Sequence, residues 1–182
     1  KNLEAEIPGW DFNHIKKESA AKWEKELSKI ELETINENDK KTFYTAMYHT
    51  MMSPVLYQDV DGKYLDIDQN IHNAKDFTNY TVFSLWDTYR ALHPLYNIIQ
   101  PKRNNDFIKS MLSHSKHSVH KSLPIWSHYA NENWCMIGYH AVSVLADAVA
   151  KNTTDADLNK MLEASITSSN LKYYDGIDEY LK

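Results

Sequence analysis

Residues 123–140 read LPIWSHYANENWCMIGYH, a stretch in which two tryptophans, a polar turn and an apolar segment follow one another. Trp126 and Trp134 flank a polar turn that holds Asn131 and Glu132, and an apolar segment follows. We predict that a helix begins near Trp134, so that the turn lies at its N-terminus. Glutamate is usually solvated on a helix surface, and a lone carboxylate between two tryptophans is unusual. Glu132 is therefore a candidate functional residue.

The surroundings of this turn favour one chemical role for a carboxyl group. Neighbouring aromatic rings can remove water from a carboxyl group and raise its pKa, as a general acid working near neutral pH requires. The positive N-terminal end of the predicted helix acts in the opposite direction, because it stabilises the ionised form. Glu132 is thus a candidate general acid if burial outweighs the helix dipole, and a solvated surface glutamate is the alternative.

The composition favours a helical globular protein. Four Gly and five Pro among 182 residues are too few for the many tight turns of a β-sandwich or barrel. The net charge of −5 gives no basic surface for nucleic acid, and the single Cys135 leaves no internal disulfide. No apolar run is long enough to span a membrane. The chain opens on KNLEAEIPGW without an initiator Met, so we expect an excised segment of a longer protein.

Apolar periodicity predicts six helices. Their approximate ranges are 16–36, 40–57 (with Asp39 as N-cap), 84–100, 104–119, 134–151 and 155–168. The second, third and fifth are apolar on most faces and are predicted to be buried, whereas the others carry one narrow stripe. Residues 58–80 are predicted to be a solvated hairpin or loop, and residues 170–182 a loop leading towards another helix. Helices with a broad apolar surface thus alternate with helices that carry a narrow apolar stripe, except that the second and third are both broad. This alternation is typical of a toroid of helix pairs.

Two polar patterns lie on the predicted third and fourth helices. Asp87 and Arg90, in the segment SLWDTYR, are three residues apart and would share a helix face. They form either an intrahelical ion pair or a polar pair that points into a pocket beside Trp86. Pro94 is predicted to kink this helix.

Histidines recur at every third position near the end of the fourth helix, at His114, His117 and His120. A zinc site would need convergence on one point and a further ligand, and none is near in the sequence. We therefore interpret them as cations that favour a helix C-terminus.

Four longer motifs resemble glycoside hydrolase family 92, the calcium-dependent exo-acting α-mannosidases that invert the anomeric centre. The motifs are FYTAMYHTMMSPVLYQDVDGKY (43–64), YTVFSLWDTYRALHPL (80–95), NDFIKSML (105–112) and NENWCMIGYHAVSVLADA (131–148). The resemblance implies an all-α fold, part of an (α/α)6 toroid, which follows a β-sandwich domain in the family. A helix pair takes about 40 residues and six pairs about 240. Residues 1–182 are therefore expected to be roughly the first half of an unclosed ring, without the sandwich or the C-terminal half of the catalytic domain.

The resemblance also implies roles for four residues. Glu132 matches the general acid, Asp87 matches the position that binds hydroxyls of the terminal mannose, and Trp86 and Arg90 line the same subsite. The general base and most calcium ligands are expected outside this segment, so no metal ligand is assigned here and the isolated segment is expected to be inactive.

The resemblance further implies a parent protein that is periplasmic, at the cell surface or secreted and that removes mannose from glycans. We expect no nucleic-acid partner and no membrane span. Because an open half-ring leaves inner helices uncovered, we expect self-association. Two alternatives remain open: another glycosidase on the same helical ring, and a non-catalytic α-helical binding or scaffold module.

Overall fold

The computed structural model describes residues 2–171 and divides the chain into two compact units, Lys1–Met52 and Ser53–Lys182. About half of the described residues are helical, and six short strands form three two-stranded sheets. The predominantly helical prediction is confirmed, but the all-α description left out these small sheets. Beyond Leu171, the loop predicted for residues 170–182 lies outside the described residues. None of the helices within the described part combines the length and the apolar character needed to cross a membrane.

The first unit contains three helices, α1 (Asn2–Glu6), α2 (Phe12–Leu27) and α3 (Glu37–Thr50). Asp11 caps α2 by accepting the N–H groups of Asn13 and His14, and Asn36 caps α3. The predicted cap at Asp39 was wrong, and α2 ends well before residue 36. The Tyr44 hydroxyl explains the early end, because it binds the Ile30 carbonyl and the Leu32 N–H group and so holds the connection in a non-helical path.

Burial in the first unit differs from the prediction. Helix α3 was predicted to be buried nearly all round, yet Met47 is its one buried residue. Its partner within the unit is the amphipathic α2, which packs Trp23 against Tyr48 with ring centroids 4.7 Å apart. A single neighbouring helix covers one side of α3 and leaves the other aromatic and methionine side chains partly exposed.

The strands of the second unit pair as antiparallel ribbons. β1 (Val55–Leu56) pairs with β4 (Tyr80–Thr81), β2 (Lys63–Leu65) with β3 (Ile71–Asn73), and β5 (Phe83–Ser84) with β6 (Trp126–Ser127). The hairpin predicted within residues 58–80 is therefore present. Gly62 is required in the turn that precedes β2, because its φ of +81° is left-handed and a Cβ there would lie 3.1 Å from the Ala74 carbonyl.

Five helices complete the second unit: α4 (Leu85–Thr88), α5 (Leu92–Ile99), α6 (Pro101–His117), α7 (Ala141–Ala150) and α8 (Leu158–Ser169). The predicted third helix is thus two helices, and Pro94 does not kink a continuous one. Pro94 lies in the first turn of α5, where backbone N–H groups have no partner within the helix and proline is tolerated. Pro101 begins α6 for the same reason.

Helix α7 begins at Ala141 and not near Trp134. Trp134, Met136 and Gly138 have φ values of +52°, +72° and +90°, and residues in the left-handed region cannot continue a right-handed helix. The predicted helix end beside Glu132 was therefore wrong, and so was the dipole argument built on it.

The core of the second unit lies between α5, α6, α7 and α8, with β5 at one edge. Its most buried large side chains are Leu85, Tyr96, Phe107, Ile108, Met111, Leu123 and Val144. Helix α6 was predicted to carry a narrow stripe, but it has seven buried residues, four of them polar. Buried polar side chains of α6 form hydrogen bonds, and α6 can therefore be buried over a wider surface than its apolar residues alone indicate.

Candidate active site

The carboxyl group of Glu132 lies inside the protein, and its side chain is 3% exposed. Three backbone N–H groups hold it. Oε1 accepts from Trp126 at 2.8 Å and from Trp134 at 3.1 Å, and Oε2 accepts from Ile125 at 3.0 Å. Three hydrogen bonds from backbone groups at 2.8–3.1 Å give this carboxyl group a well-defined position and orientation.

A tight loop after β6 brings Glu132 back to the strand that it contacts. Ser127 and Glu132 form an isolated antiparallel bridge, and His128 N–H donates to the Asn131 carbonyl at 2.9 Å. Tyr129, in the middle of the loop, has a φ of +56°. The segment between Trp126 and Glu132 therefore forms a closed loop. The Glu132 carboxyl group at its end faces the backbone of residues 125 and 126.

His114 on α6 approaches the same carboxyl group from the core. Its Nε2 atom lies 3.5 Å from Glu132 Oε2. Burial lowers the pKa of His114, and attraction to Glu132 and Asp66 does not reverse this effect. The interpretation of His114 as a cation at a helix C-terminus was therefore wrong, because the buried ring is neutral near pH 7.

A second polar cluster lies next to His114 and joins α6 to the β2–β3 hairpin. Asp66 Oδ2 is 2.7 Å from His117 Nδ1 and accepts a hydrogen bond from Ser113 Oγ at 3.2 Å. The His117 ring stacks on His72 with centroids 3.7 Å apart. Asp66 is buried, although its loop was predicted to be solvated. Sequence periodicity could not have indicated this burial, because Leu65 alternates with Asp66 and the structure exposes Leu65 instead.

Asp68 binds the edge of the His72 ring, which stacks on His117 in this cluster. Burial raises its pKa, but hydrogen bonds from Asn70 and His72 outweigh it and lower the pKa of Asp68 to about 2. Its carboxylate oxygens lie 3.0 and 2.9 Å from His72 Nε2. Asp68 and His72 thus form an ion pair only when His72 is protonated.

The three candidate subsite residues lie around α4. Trp86 is half-buried, whereas Asp87 and Arg90 are exposed. Asp87 Oδ2 accepts a hydrogen bond from Ser84 Oγ at 2.8 Å, and the Arg90 guanidinium lies 5.3 Å from the centroid of the Trp86 ring. Within the described residues Asp87 and Arg90 form no ion pair with each other. The helical spacing predicted for them does not apply, because α4 ends at Thr88.

The β5–β6 pair connects the subsite residues to Glu132. Ser84 pairs with Trp126, so the residue that binds Asp87 lies opposite the residue whose N–H group binds Glu132. The structure therefore brings the two sequence-predicted groups to one two-stranded ribbon. His114 was missed as a neighbour of Glu132 because the two residues are distant in sequence and meet only after α6 has packed on the loop.

The described residues contain no cluster of acidic, histidine or cysteine side chains placed as metal ligands. Within residues 2–171 no group of three or more His, Cys, Asp or Glu side chains is arranged to hold a metal. A cleft of about 860 Å³ lies between the β2–β3 hairpin, α6 and α8, but Glu132, Trp86 and Asp87 do not line it. No chemical step is therefore assigned to calcium or to that cleft.

Comparison with known proteins gives the family of this chain. The profile of the glycosyl hydrolase family 92 catalytic domain matches residues 1–182. The chain belongs to glycoside hydrolase family 92. A family 92 α-mannosidase from Bacteroides thetaiotaomicron is 50% identical with a TM-score of 0.92, and the match covers 98% of this chain and 24% of that one.

Two further relatives carry informative names. An inverting mannosidase of family 92 from Bacteroides thetaiotaomicron VPI-5482 is 28% identical with a TM-score of 0.86, over 98% of this chain and 25% of that one. An "uncharacterized secreted glycosidase" of Arthroderma benhamiae is 32% identical over 94 residues, which is 50% of this chain and 11% of the relative. This family 92 chain thus spans about a quarter of the length of these solved relatives.

Proposed function

We propose that this chain is part of an exo-acting α-mannosidase that inverts the anomeric centre, and that Glu132 is its general acid. The observation that carries the proposal is the buried Glu132 carboxyl group, held by three backbone N–H groups on the ribbon that also carries Ser84. Membership of family 92 and the mannosidase relatives support the substrate class, a glycan with terminal α-linked mannose.

In the proposed reaction the Glu132 O–H bond breaks and its proton passes to the departing glycosidic oxygen. The sugar ring then develops positive charge, as in other glycoside hydrolases. Asp87 accepts hydrogen bonds from hydroxyls of the terminal mannose, and the Trp86 ring packs against its C–H groups. Arg90, over that ring, adds hydrogen-bond donors.

An inverting enzyme needs a second carboxylate about 6.5–9.5 Å from the first, to activate water as the base. We assign this base and the calcium ligands to parts of the parent protein outside residues 1–182. The proposal therefore includes an inactive isolated chain and a calcium-dependent parent. A chelator should abolish the activity of the parent, and added calcium should restore it.

The first test is Glu132→Gln in the full-length parent, assayed on a mannobiose and on dinitrophenyl α-mannoside. The mannose unit that departs from the mannobiose is a poor leaving group and needs a proton, whereas dinitrophenolate leaves without one. We expect kcat on the mannobiose to fall by about 10²- to 10⁴-fold, and kcat on the activated substrate to change far less. The exposed Glu24→Gln in α2 is the matched control and should behave as the wild type on both substrates.

The same three N–H bonds would also suit a carboxylate with a purely structural role, as in a scaffold module. The amide of Glu132→Gln puts donors against a backbone donor and lowers stability under either view. The ratio of the two rates separates the views, because misfolding lowers both in the same proportion. A constant ratio would therefore contradict the assignment of Glu132 as the acid.

The rival enzyme function is a glycosidase of another specificity. A panel of α-mannosides and other glycosides separates the two, and we expect turnover of the α-mannosides alone. We also propose that the parent protein is located outside the cytoplasm. The name of the Arthroderma benhamiae relative supports this location.

A further inference from the structure

The two oxygens of the Glu132 carboxyl group meet different numbers of donors. Oε1 accepts the N–H groups of Trp126 and Trp134, whereas Oε2 accepts only that of Ile125 from the backbone. A carboxyl oxygen offers about two lone-pair positions, so Oε1 is fully used and Oε2 keeps one position open. Oε2 is therefore the oxygen that has room for a further neighbour.

The imidazole of His114 lies beside that oxygen. Its Nε2 atom is 3.5 Å from Oε2, and the two side chains are 10% and 3% exposed. Because burial lowers the pKa of His114, the ring is neutral near pH 7. The neutral ring lies against Oε2, on the side of the carboxyl group that faces α6.

The helix turn that carries His114 is itself fixed. Ser113, the preceding residue, donates to Asp66 Oδ2 at 3.2 Å, and its Oγ lies 2.7 Å from the Tyr64 hydroxyl. His117, one turn further on, lies 2.7 Å from the same Asp66 oxygen. These contacts tie the end of α6 to the β2–β3 hairpin on both sides of His114. The imidazole is therefore presented to Oε2 by a rigid support.

We propose that His114 is a positioning residue for the general acid. Its ring packs against the Oε2 side of the Glu132 carboxyl group and, with the three backbone N–H groups, fixes the orientation of the acid. This inference rests on the proposed function of Glu132. His114 itself neither gains nor loses a proton in the step, because the O–H bond that breaks is that of Glu132 and the one that forms is on the departing sugar.

The test compares His114→Leu and His114→Gln in the full-length parent on the same mannobiose and dinitrophenyl α-mannoside. For His114→Leu we expect kcat on the mannobiose to fall by about 10- to 100-fold, the cost of a misplaced catalytic group. KM on both substrates and kcat on the activated substrate should stay near the wild-type values. His114→Gln retains a polar group at similar reach and should recover part of the loss. The exposed His14→Leu in α2 is the matched control.

Thermal unfolding of each variant shows whether the fold is retained. If His114→Leu does not fold, the comparison rests on His114→Gln, which must still lower kcat on the mannobiose selectively. Equal losses on both substrates in a folded variant, or no loss on either, would overturn the positioning role. Glu132→Gln distinguishes this failure from failure of the proposed function. If that variant shows the leaving-group effect and the His114 variants do not, only the role of His114 is wrong.

Discussion

At the scale of single residues, Glu132 shows what a motif can and cannot indicate. The motif identified Glu132 as a candidate, and the tryptophans on either side of it indicated a turn. Its hydrogen-bond partners could not be predicted, because they are backbone groups and their direction depends on the left-handed residues of the loop. His114 was recognised as part of a histidine pattern, but its contact with Oε2 depends on long-range packing.

For Asp87 we predict that one substitution lowers substrate binding but leaves the stability of the protein nearly unchanged. Its carboxylate is exposed and bonded to Ser84 Oγ, so Asp87→Asn should change the free energy of unfolding by no more than about 0.5 kcal/mol. In the parent the same change should lower kcat/KM on an α-mannoside by about 10- to 100-fold, because a hydrogen bond to a charged group is lost. Steady-state kinetics and denaturant unfolding provide both quantities.

Ser84→Ala is the control for Asp87→Asn. It removes the hydroxyl that binds Asp87 Oδ2 and keeps the carboxylate. We expect a much smaller loss of kcat/KM than for Asp87→Asn. Equal losses in the two variants would mean that Asp87 acts only by holding the start of α4, and the subsite assignment would then be wrong.

At the scale of secondary-structure elements, α5 and α6 are joined by a buried polar chain. His93 Nδ1 lies 3.2 Å from Asn104 Oδ1, Asn104 Nδ2 donates to Asn97 Oδ1 at 2.8 Å, and Asn97 Nδ2 donates to Asp147 Oδ2 at 2.7 Å. His93 also meets the edges of the Tyr96 and Phe107 rings. These contacts fix how α5, α6 and α7 pack, and they keep the His93 ring out of water.

His93 makes the stability of the second unit depend on pH. Burial lowers the pKa of His93 from its ordinary value of 6.5 to about 4. Below pH 6.5 the unfolded chain therefore binds a proton that the folded chain does not. The free energy of unfolding should fall by about 3 kcal/mol as the pH decreases from 6.5 to 4, at about 1.4 kcal/mol for each pH unit. Urea unfolding at several pH values measures this decrease.

Two variants check that His93 is the source. His93→Gln cannot titrate and should reduce the slope between pH 6.5 and 4, whatever its stability at neutral pH, with a remainder from His114, whose pKa burial also lowers. His120→Gln removes an exposed histidine of the same unit and should keep the wild-type slope. A wild-type slope in His93→Gln would show that another group binds the proton.

The sequence located most helices but not their ends or their burial. The periodicity of residues 155–168 was sufficient for α8, which runs over Leu158–Ser169. The apolar segment after Glu132 indicated α7 too early, because periodicity cannot detect left-handed backbone at Trp134, Met136 and Gly138. Burial was misjudged for α3 and α6. The apolar pattern of a helix shows which residues could be buried. Which of them are buried depends on the elements that pack against the helix.

At the scale of the whole molecule, several large apolar side chains stay exposed on α8. Leu158, Leu162 and Ile166 are 60%, 61% and 54% exposed, and their spacing of four residues puts them on one side of the helix. Their exposure agrees with a chain that covers about a quarter of its solved relatives. An apolar stripe of this kind favours association with other apolar surfaces.

We therefore expect the isolated chain to self-associate and to lack mannosidase activity. Sedimentation velocity should show a weight-average sedimentation coefficient that rises with concentration. Replacing Leu158, Leu162 and Ile166 together by Gln should reduce this rise, because their side chains contribute little to the core. Replacing the exposed charged residues Lys22 and Lys25 of α2 by Gln is the matched control. A monomer at all concentrations, or mannose release from an α-mannoside by the isolated chain, would contradict the corresponding prediction.

The closed loop between Ser127 and Glu132 has a consequence for engineering. Both ends of the loop are anchored, one by the ribbon with β5 and the other by the backbone groups that bind the carboxylate. Residues 128–131 can therefore be treated as an exchangeable cassette. Grafting the corresponding segment from another family member should alter the residues that flank the acid while its anchor points remain in place.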